Sequence, residues 1–264
     1  MGQRLGQHFL KNQAAIKKII AALDLKEGEQ IIEIGPGRGA LTIPLAEICK
    51  ATGCQILGVE KDPSLAVSVQ RLGFSNLEII HADVLKNLLE LTKRYTLNPI
   101  PYKIVGNIPY YITGKLLRII GELEKKPALT VLMIQKEVAE RICAQPGEMN
   151  LLAAAVQFWA EPKIIMNLKP IDFSPAPKVE SAIIRLELGS RKQELGNVSS
   201  DKYYRMIKII FKQPRKTLLN NLEAELKIGK EKLLKILTEI GFNEKSRPQE
   251  LSLEKIDRLV NKLA

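Results

Sequence analysis

Asn107-Ile108-Pro109-Tyr110 has residue types that could do chemistry on a nucleobase. The exocyclic amino group of an adenine is a poor nucleophile, because its lone pair is delocalised into the ring. The Asn107 side-chain oxygen and a nearby backbone carbonyl, that of Ile108 or Pro109, could accept its two N–H bonds. That would hold the nitrogen in place and favour a pyramidal geometry with a free lone pair. Tyr110 could stack on the base once it is extruded. A sulfonium methyl is already electrophilic, so no strong general base is needed before attack, and the proton can leave afterwards. The plainer reading of Asn107, Pro109 and Tyr110 is a proline-containing turn between a strand and a helix, with Tyr110 and Tyr111 packed into core.

Three features upstream suggest what would supply such a methyl. Glu33-Ile34-Gly35-Pro36-Gly37-Arg38-Gly39 lies between an apolar run and a helical one. Glycines there, Gly35 and Gly37 among them, let a ligand approach the backbone, and the following helix start offers free N–H groups. The pattern is G-x-G-x-G, not the G-x-G-x-x-G of dinucleotide enzymes, and Pro36 removes a donor a pyrophosphate would use. Glu60 ends the next apolar run, where a carboxylate can accept both hydroxyls of a ribose. Asp83 follows the third run, where a carboxylate can accept from an adenine amino group. The implied ligand has a ribose and an adenine but needs no pyrophosphate cradle. S-adenosylmethionine fits that description.

These residues need a scaffold that brings them to one edge, and the patterning predicts one. QIIEI (30–34), QILGVE (55–60), LEIIHAD (77–83), YKIVGN (102–107) and ALTVLMIQ (128–135) read as strands. Helical periodicity separates them over 13–23, 40–50, from Asp62-Pro63 to about 72, and from IPYYIT to about 123. Alternation of this kind predicts a parallel sheet with helices on both faces. Open α/β sheets bind ligands beyond the carboxyl ends of their strands, where all four motifs fall. Residues 161–168 and 181–188 read as strands with no helix between them, which predicts an antiparallel pair at one edge. After the polar stretch 189–201 only helical patterns remain, over 202–212, 216–226, 230–240 and 252–263. The expected division is a cofactor-binding catalytic domain over 1–189, with a basic N-terminal arm, and a helical RNA-binding domain over 190–264.

The motifs taken together are similar to those of the ribosomal RNA adenine N6-dimethyltransferase family. RLGQHFL (4–10), EIGPGRGALT (33–42), the acids Glu60 and Asp83, NIPYYIT (107–113), QKEVAERI (135–142), FSPAPKVESAIIRL (173–186) and FKQPRKTLLNNL (211–222) carry the resemblance over nearly the whole chain. It implies an α/β fold: a seven-stranded, Rossmann-like class I S-adenosylmethionine-dependent methyltransferase domain with a small all-helical C-terminal domain. It implies cofactor contacts at His8, Leu10, Gly35, Glu60, Asp83 and Asn107. Phe173 would stack on the face of the target adenine opposite Tyr110. The family's usual substrate is a pair of adjacent adenines in the last hairpin loop of small-subunit (16S) rRNA, each receiving two methyl groups. His8 and Tyr111 stand where asparagine is common in relatives. Residues 147–158 lack a glycine-bearing stretch found in that region.

Charge supports a polyanionic partner. The 264 residues carry a net charge of +11. Residues 1–18 hold +4, residues 187–264 hold +6, and the stretch between is nearly neutral. Both basic ends are expected to grip the small ribosomal subunit, through Arg4 and Lys11 at one end and Lys208, Lys212, Arg215 and Lys216 at the other. Lys208 and Lys212 are expected to share one helix face, and Arg215 and Lys216 to open the next helix. No apolar run approaches the roughly 18 residues of a membrane helix. The N-terminus has no signal-peptide pattern, so a cytoplasmic monomer is expected. Cys49, Cys54 and Cys143 with only two histidines give no familiar zinc spacing, so no metal is expected and the cysteines read as apolar fillers. The competing functions are a large-subunit (23S) rRNA adenine methyltransferase, a DNA adenine methyltransferase, an rRNA-binding assembly factor with incidental methylation, and a dinucleotide dehydrogenase. The last would leave Asn107-Tyr110 without purpose.

Overall fold

The computed structural model describes residues 8–96, 101–189 and 199–263. The chain divides into two compact units, one of residues 1–140 with 161–188, the other of 141–160 with 189–264. A single boundary near 190 was the sequence expectation. The stretch 141–160 instead packs with the C-terminal helices, so the chain passes between the units three times.

In the first unit the seven runs read as strands form within two residues of their sequence limits, and two short strands that the sequence reading did not expect, at 9–10 and 173–174, join them. These are β1 (Phe9–Leu10), β2 (Gln30–Ile34), β3 (Gln55–Glu60), β4 (Leu77–His81), β5 (Tyr102–Asn107), β6 (Leu129–Gln135), β7 (Ala160–Leu168), β8 (Phe173–Ser174) and β9 (Ser181–Leu188). Seven of them make one sheet in the order β4-β3-β2-β5-β6-β9-β7, and β1 and β8 make a two-stranded ladder of their own. Strands β2 to β6 pair in parallel and β9 runs antiparallel to β6. β9 and β7 are neighbours at one edge of the sheet, with β7 outermost.

Helices α1 (Gln13–Ala22), α2 (Thr42–Thr52), α3 (Pro63–Gln70), α4 (Val84–Thr96) and α5 (Thr113–Glu122) return the chain between parallel strands or lead into them. Their starts follow local chemistry. Asn12 accepts from the Ala15 amide, and Asp62 accepts from the Ser64 and Leu65 amides with Pro63 at the first helical position. Ile16 and Ile19 of α1, Ile31, Leu45, Val105, Val131 and Met133 are buried in one apolar cluster. At the amino end of β5, Lys103 donates to Glu29 Oε2 and to the Asp24 carbonyl, both at 2.6 Å, with both side chains buried.

The register aligns the carboxyl ends. Ile34 lies beside Val59, and Glu60 beside His81. A Cβ on Gly106 would stand 2.6 Å from the Ile34 carbonyl oxygen, so only glycine lets β5 end this close to β2, one residue before Asn107.

The second unit contains α7 (Leu151–Gln157), α8 (Ser200–Ile210), α9 (Leu218–Glu225), α10 (Lys230–Glu239) and α11 (Leu253–Leu263); α6 (Lys136–Ile142) precedes α7 in the chain. Tyr203 of α8 stacks on Phe158 at 4.0 Å, and its hydroxyl donates to the Ala154 carbonyl at 3.1 Å. These contacts tie residues 141–160 to the C-terminal helices.

Candidate active site

The loop after β2 closes on the sheet edge through its backbone. The Gly35 amide donates to the Val59 carbonyl at 3.0 Å, and the Gly39 amide to the Pro36 carbonyl at 2.9 Å. Gly35 and Gly37 have φ of 69° and 59°. A Cβ on Gly37 would meet the Phe9 ring at 3.2 Å. Glu60 locks this loop: its Oε2 accepts from the Gly37 amide and its Oε1 from the Asp62 amide, both at 2.9 Å. The carboxylate thus joins the glycine loop to the start of α3 while keeping further lone pairs for a ligand.

Glu33, in β2 just before the glycine loop, was not singled out from the sequence. It is 1% exposed. Its Oε1 accepts from the Thr42 hydroxyl at 3.0 Å, and its Oε2 has no partner among the described residues. Burial pushes its carboxyl up to about 8; the Thr42 bond opposes this and the nearby Glu60 charge adds to it. A carboxyl left half-satisfied beside a cavity is a group waiting for a donor.

Asp83 lies just beyond β4. Its Oδ1 accepts from the Leu85 amide at 3.0 Å, and its Oδ2 pairs with Lys61 at 3.1 Å. Partial burial pulls the carboxyl upward. The Lys61 and Leu85 hydrogen bonds, with the charges of Lys61 and Lys86, outweigh that and hold it below the usual range.

The Asn107 amide is oriented: Nδ2 donates to the His8 carbonyl at 2.9 Å, which leaves the carboxamide oxygen to accept. His8 is itself fixed, its Nδ1 donating to the Pro175 carbonyl at 2.8 Å. The Tyr110 ring stacks with His8 at 5.9 Å, and its hydroxyl shares a 2.7 Å hydrogen bond with Ser181 Oγ at the start of β9. The Pro109 carbonyl accepts from the Ile112 amide, so of the two backbone acceptors considered, that of Ile108 is the better placed to receive a further donor. Ser181 is a second residue that sequence reasoning missed; only its pairing across the sheet shows the link to Tyr110.

Two pockets open at this edge. His8, Leu10, Glu33, Gly37, Asn107 and Tyr110 line the larger, and Lys61, Asp83, Val84 and Tyr111 the smaller. Gly35, Glu60 and Pro109 line both, so the two are neighbouring parts of one groove. Tyr111 is 64% exposed on the rim.

Several expected residues stand elsewhere. Phe173 is 2% exposed and belongs to the apolar core, not to the walls of either cavity. The β1–β8 ladder pairs it with Leu10, and strand alternation turns Phe173 inward and Ser174 outward. Lys208 is exposed on α8, but Lys212 lies past the helix end and pairs with Glu225, so the two do not share a helix face. Arg215 and Lys216 do not open α9. They lie in an exposed turn before it, and Thr217 caps the helix by accepting from the Asn220 amide. Asn221 clamps that turn, accepting from the Gln213 amide and donating to the Gln213 carbonyl. Lys11 is exposed, and Arg4 lies outside the described residues.

The ribosomal RNA adenine dimethylase family matches residues 2–264. A ribosomal RNA small subunit methyltransferase A from Dehalococcoides mccartyi (strain CBDB1) is 38% identical over 97% of this chain and 86% of its own. One from Fusobacterium nucleatum is 34% identical over 98% and 96%. The chain belongs to the ribosomal RNA adenine dimethylase family. Among solved structures, a dimethyladenosine transferase from Plasmodium falciparum superposes with a TM-score of 0.78 at 27% identity, covering 97% of both chains. The 23S rRNA methyltransferase ErmE shares the fold, with a TM-score of 0.71 at 24% identity over 97% of this chain and 99% of its own. Membership makes the protein an S-adenosylmethionine-dependent rRNA adenine dimethyltransferase. The groove fits that cofactor: an orphaned buried carboxylate oxygen, a glycine cradle and two strand-end acids surround it. Among the described residues no group of His, Cys, Asp and Glu could hold a metal ion, and no helix is long and apolar enough to cross a membrane.

Proposed function

We propose that this enzyme dimethylates the N6 groups of two adjacent adenines in the 3′-terminal hairpin loop of small-subunit rRNA. The observation that carries the reading is the fixed Asn107 amide at the end of β5, its nitrogen committed to the His8 carbonyl and its oxygen free to receive an adenine N–H. The Ile108 carbonyl takes the second N–H. Together they hold the N6 lone pair toward the methyl group, and Tyr110, pinned by Ser181, presents its ring to the extruded base. When bound, S-adenosylmethionine supplies an electrophilic sulfonium methyl. Held by Asn107 and Ile108, N6 would accept that methyl as the thioether departs, and the N6 proton would leave to water.

On this reading Glu60 holds the ribose, Asp83 receives the adenine amino group, His8, Leu10, Gly35 and Gly37 wall the methionine end, and Glu33 faces the methionine ammonium. Asp83 accepts the adenine amino group beside its exposed pair with Lys61, which solvent screens. Lys11, Lys208, Arg215 and Lys216 contact rRNA phosphates. The weak exposed pair of Lys212 with Glu225 can be exchanged for a phosphate at little cost. Arg4 belongs to the same arm as Lys11. The enzyme acts as a monomer in the cytoplasm on the small ribosomal subunit.

The test is transfer of labelled methyl from S-adenosylmethionine to small subunits lacking the modification, with the targets mapped by primer extension. Two adjacent blocked adenines near the 3′ end are expected. Label confined to large-subunit rRNA would refute the reading.

A further inference from the structure

Arg38 has no assigned role, yet it lines the same cavity wall as Glu33, Gly35 and Gly37. Its guanidinium lies over the Phe9 ring, 4.5 Å from the centroid. Ring stacking fixes the guanidinium plane and leaves its edge N–H groups free to donate. Among the described residues it makes no ion pair, whereas Arg94 pairs with Glu78, Arg118 with Glu122 and Arg185 with Glu187. Gly37 is bare where Phe9 comes closest, so the stack and the glycine loop are built around each other. The cavity therefore carries an unpaired cation at its mouth and a half-satisfied carboxyl on its buried wall. A cation beside a buried acid that ionises only against a donor matches a zwitterion, with a carboxylate for the one and an ammonium for the other. A phosphate diester, with one negative charge, would use Arg38 and leave the Glu33 oxygen without a partner.

We infer that Arg38 is a binding residue for the α-carboxylate of the cofactor's methionine group, the counterpart of Glu33 toward the ammonium. The inference rests on the cofactor reading of the groove. It makes amino-acid recognition two-sided: Glu33 selects the charged amine, and Arg38 selects the acid.

The test is calorimetry on the full chain with two ligands, S-adenosylhomocysteine and 5′-methylthioadenosine, which keeps the nucleoside and lacks the amino acid. Arg38→Met retains an apolar stem on Phe9 and removes the charge. It should weaken S-adenosylhomocysteine about 5- to 30-fold, the range for a charged hydrogen bond partly screened by solvent. Methylthioadenosine binding should change less than about twofold, and Arg38→Lys should restore part of the loss. An equal loss for both ligands would mean that Arg38 only shapes the loop, and would overturn the inference. So would no loss for either, or a loss seen only in rRNA affinity, which would assign Arg38 to a phosphate. Failure of the wild-type protein to bind S-adenosylhomocysteine would instead overturn the cofactor reading itself.

Discussion

Replacing Glu33 with Gln should stabilise the free protein at neutral pH and weaken its grip on the cofactor. The side chain is fully buried, one oxygen has no partner, and its carboxyl is pushed from 4.5 to about 8. A folded pKa above the unfolded one means that the neutral acid is what the fold tolerates. Its contribution is whole below about pH 4.5 and is lost progressively as pH rises to about 8. At 1.36 kcal/mol per pH unit, about 3 kcal/mol is lost by pH 7 and about 5 at full ionisation. Glutamine keeps an acceptor for Thr42 and never ionises, so it escapes the loss. Its buried NH₂ replaces the buried OH of the neutral acid, so the two proteins should be nearly equal at pH 5. Urea unfolding without cofactor, at pH 5, 6, 7 and 8, reads the divergence. The variant should gain on the wild type by about 2 to 3 kcal/mol between pH 5 and 7, other titrating groups cancelling. Binding should move the other way. Wild-type affinity for S-adenosylhomocysteine should rise with pH between 6 and 7.5, while the ligand's own amine, beside a free carboxylate, stays charged. The variant should bind more weakly with a flat profile. Parallel stability curves for the two proteins would refute the account of Glu33 as a strained, ligand-seeking carboxyl.

Asn107→Ala should lower the methylation rate about 10²- to 10³-fold, measured as single-turnover label transfer, with a smaller loss of cofactor affinity; a near-normal rate would reduce the segment to a turn. Glu60→Ala should weaken S-adenosylhomocysteine binding by about 1.5–3 kcal/mol by calorimetry, because the variant loses a charged acceptor and the tie between the glycine loop and α3. Glu29→Ala should cost about 3–5 kcal/mol of stability in urea unfolding, since it strands the buried Lys103 ammonium, and leave cofactor affinity intact. Arg215→Ala with Lys216→Ala should weaken small-subunit binding and reduce the slope of log affinity against log salt by up to about one per lost phosphate contact; an unaltered slope would confine these residues to the fold.

Much of this site was legible because its parts follow strands. QIIEI, QILGVE and YKIVGN are short, β-branched and bounded by turns, so their ends could be placed to the residue, and with them Gly35, Glu60 and Asn107. Helix α4 carries the helical period too, with Val84, Leu88 and Leu91 buried four and three residues apart behind Asp83. Helix α7 is different. LLAAAVQ is apolar on nearly every side, so no period marks it; its one local sign is Asn150, whose side chain accepts from the Leu152 and Ala153 amides. That same uniform apolarity lets residues 141–160 sink among the C-terminal helices, against the order of the chain.

What stayed hidden shares one cause: it depends on contacts distant in sequence. The resemblance gives Phe173 a place on the target adenine, but pairing with Leu10, 163 positions away, decides which way the ring points. Ser181 matters only because a strand from the far side of the sheet ends beside Tyr110. Glu33 reads as one polar residue in an apolar strand, a type that usually faces solvent. It is buried because β2 is central, with β3 on one side and β5 on the other and both faces covered. A central parallel strand holds a carboxylate in its last turn of sequence only at the expense of stability. That expense is the physical sign of use: local patterning shows where a site is, and the strained group inside it shows which ligand charge the site was built to meet.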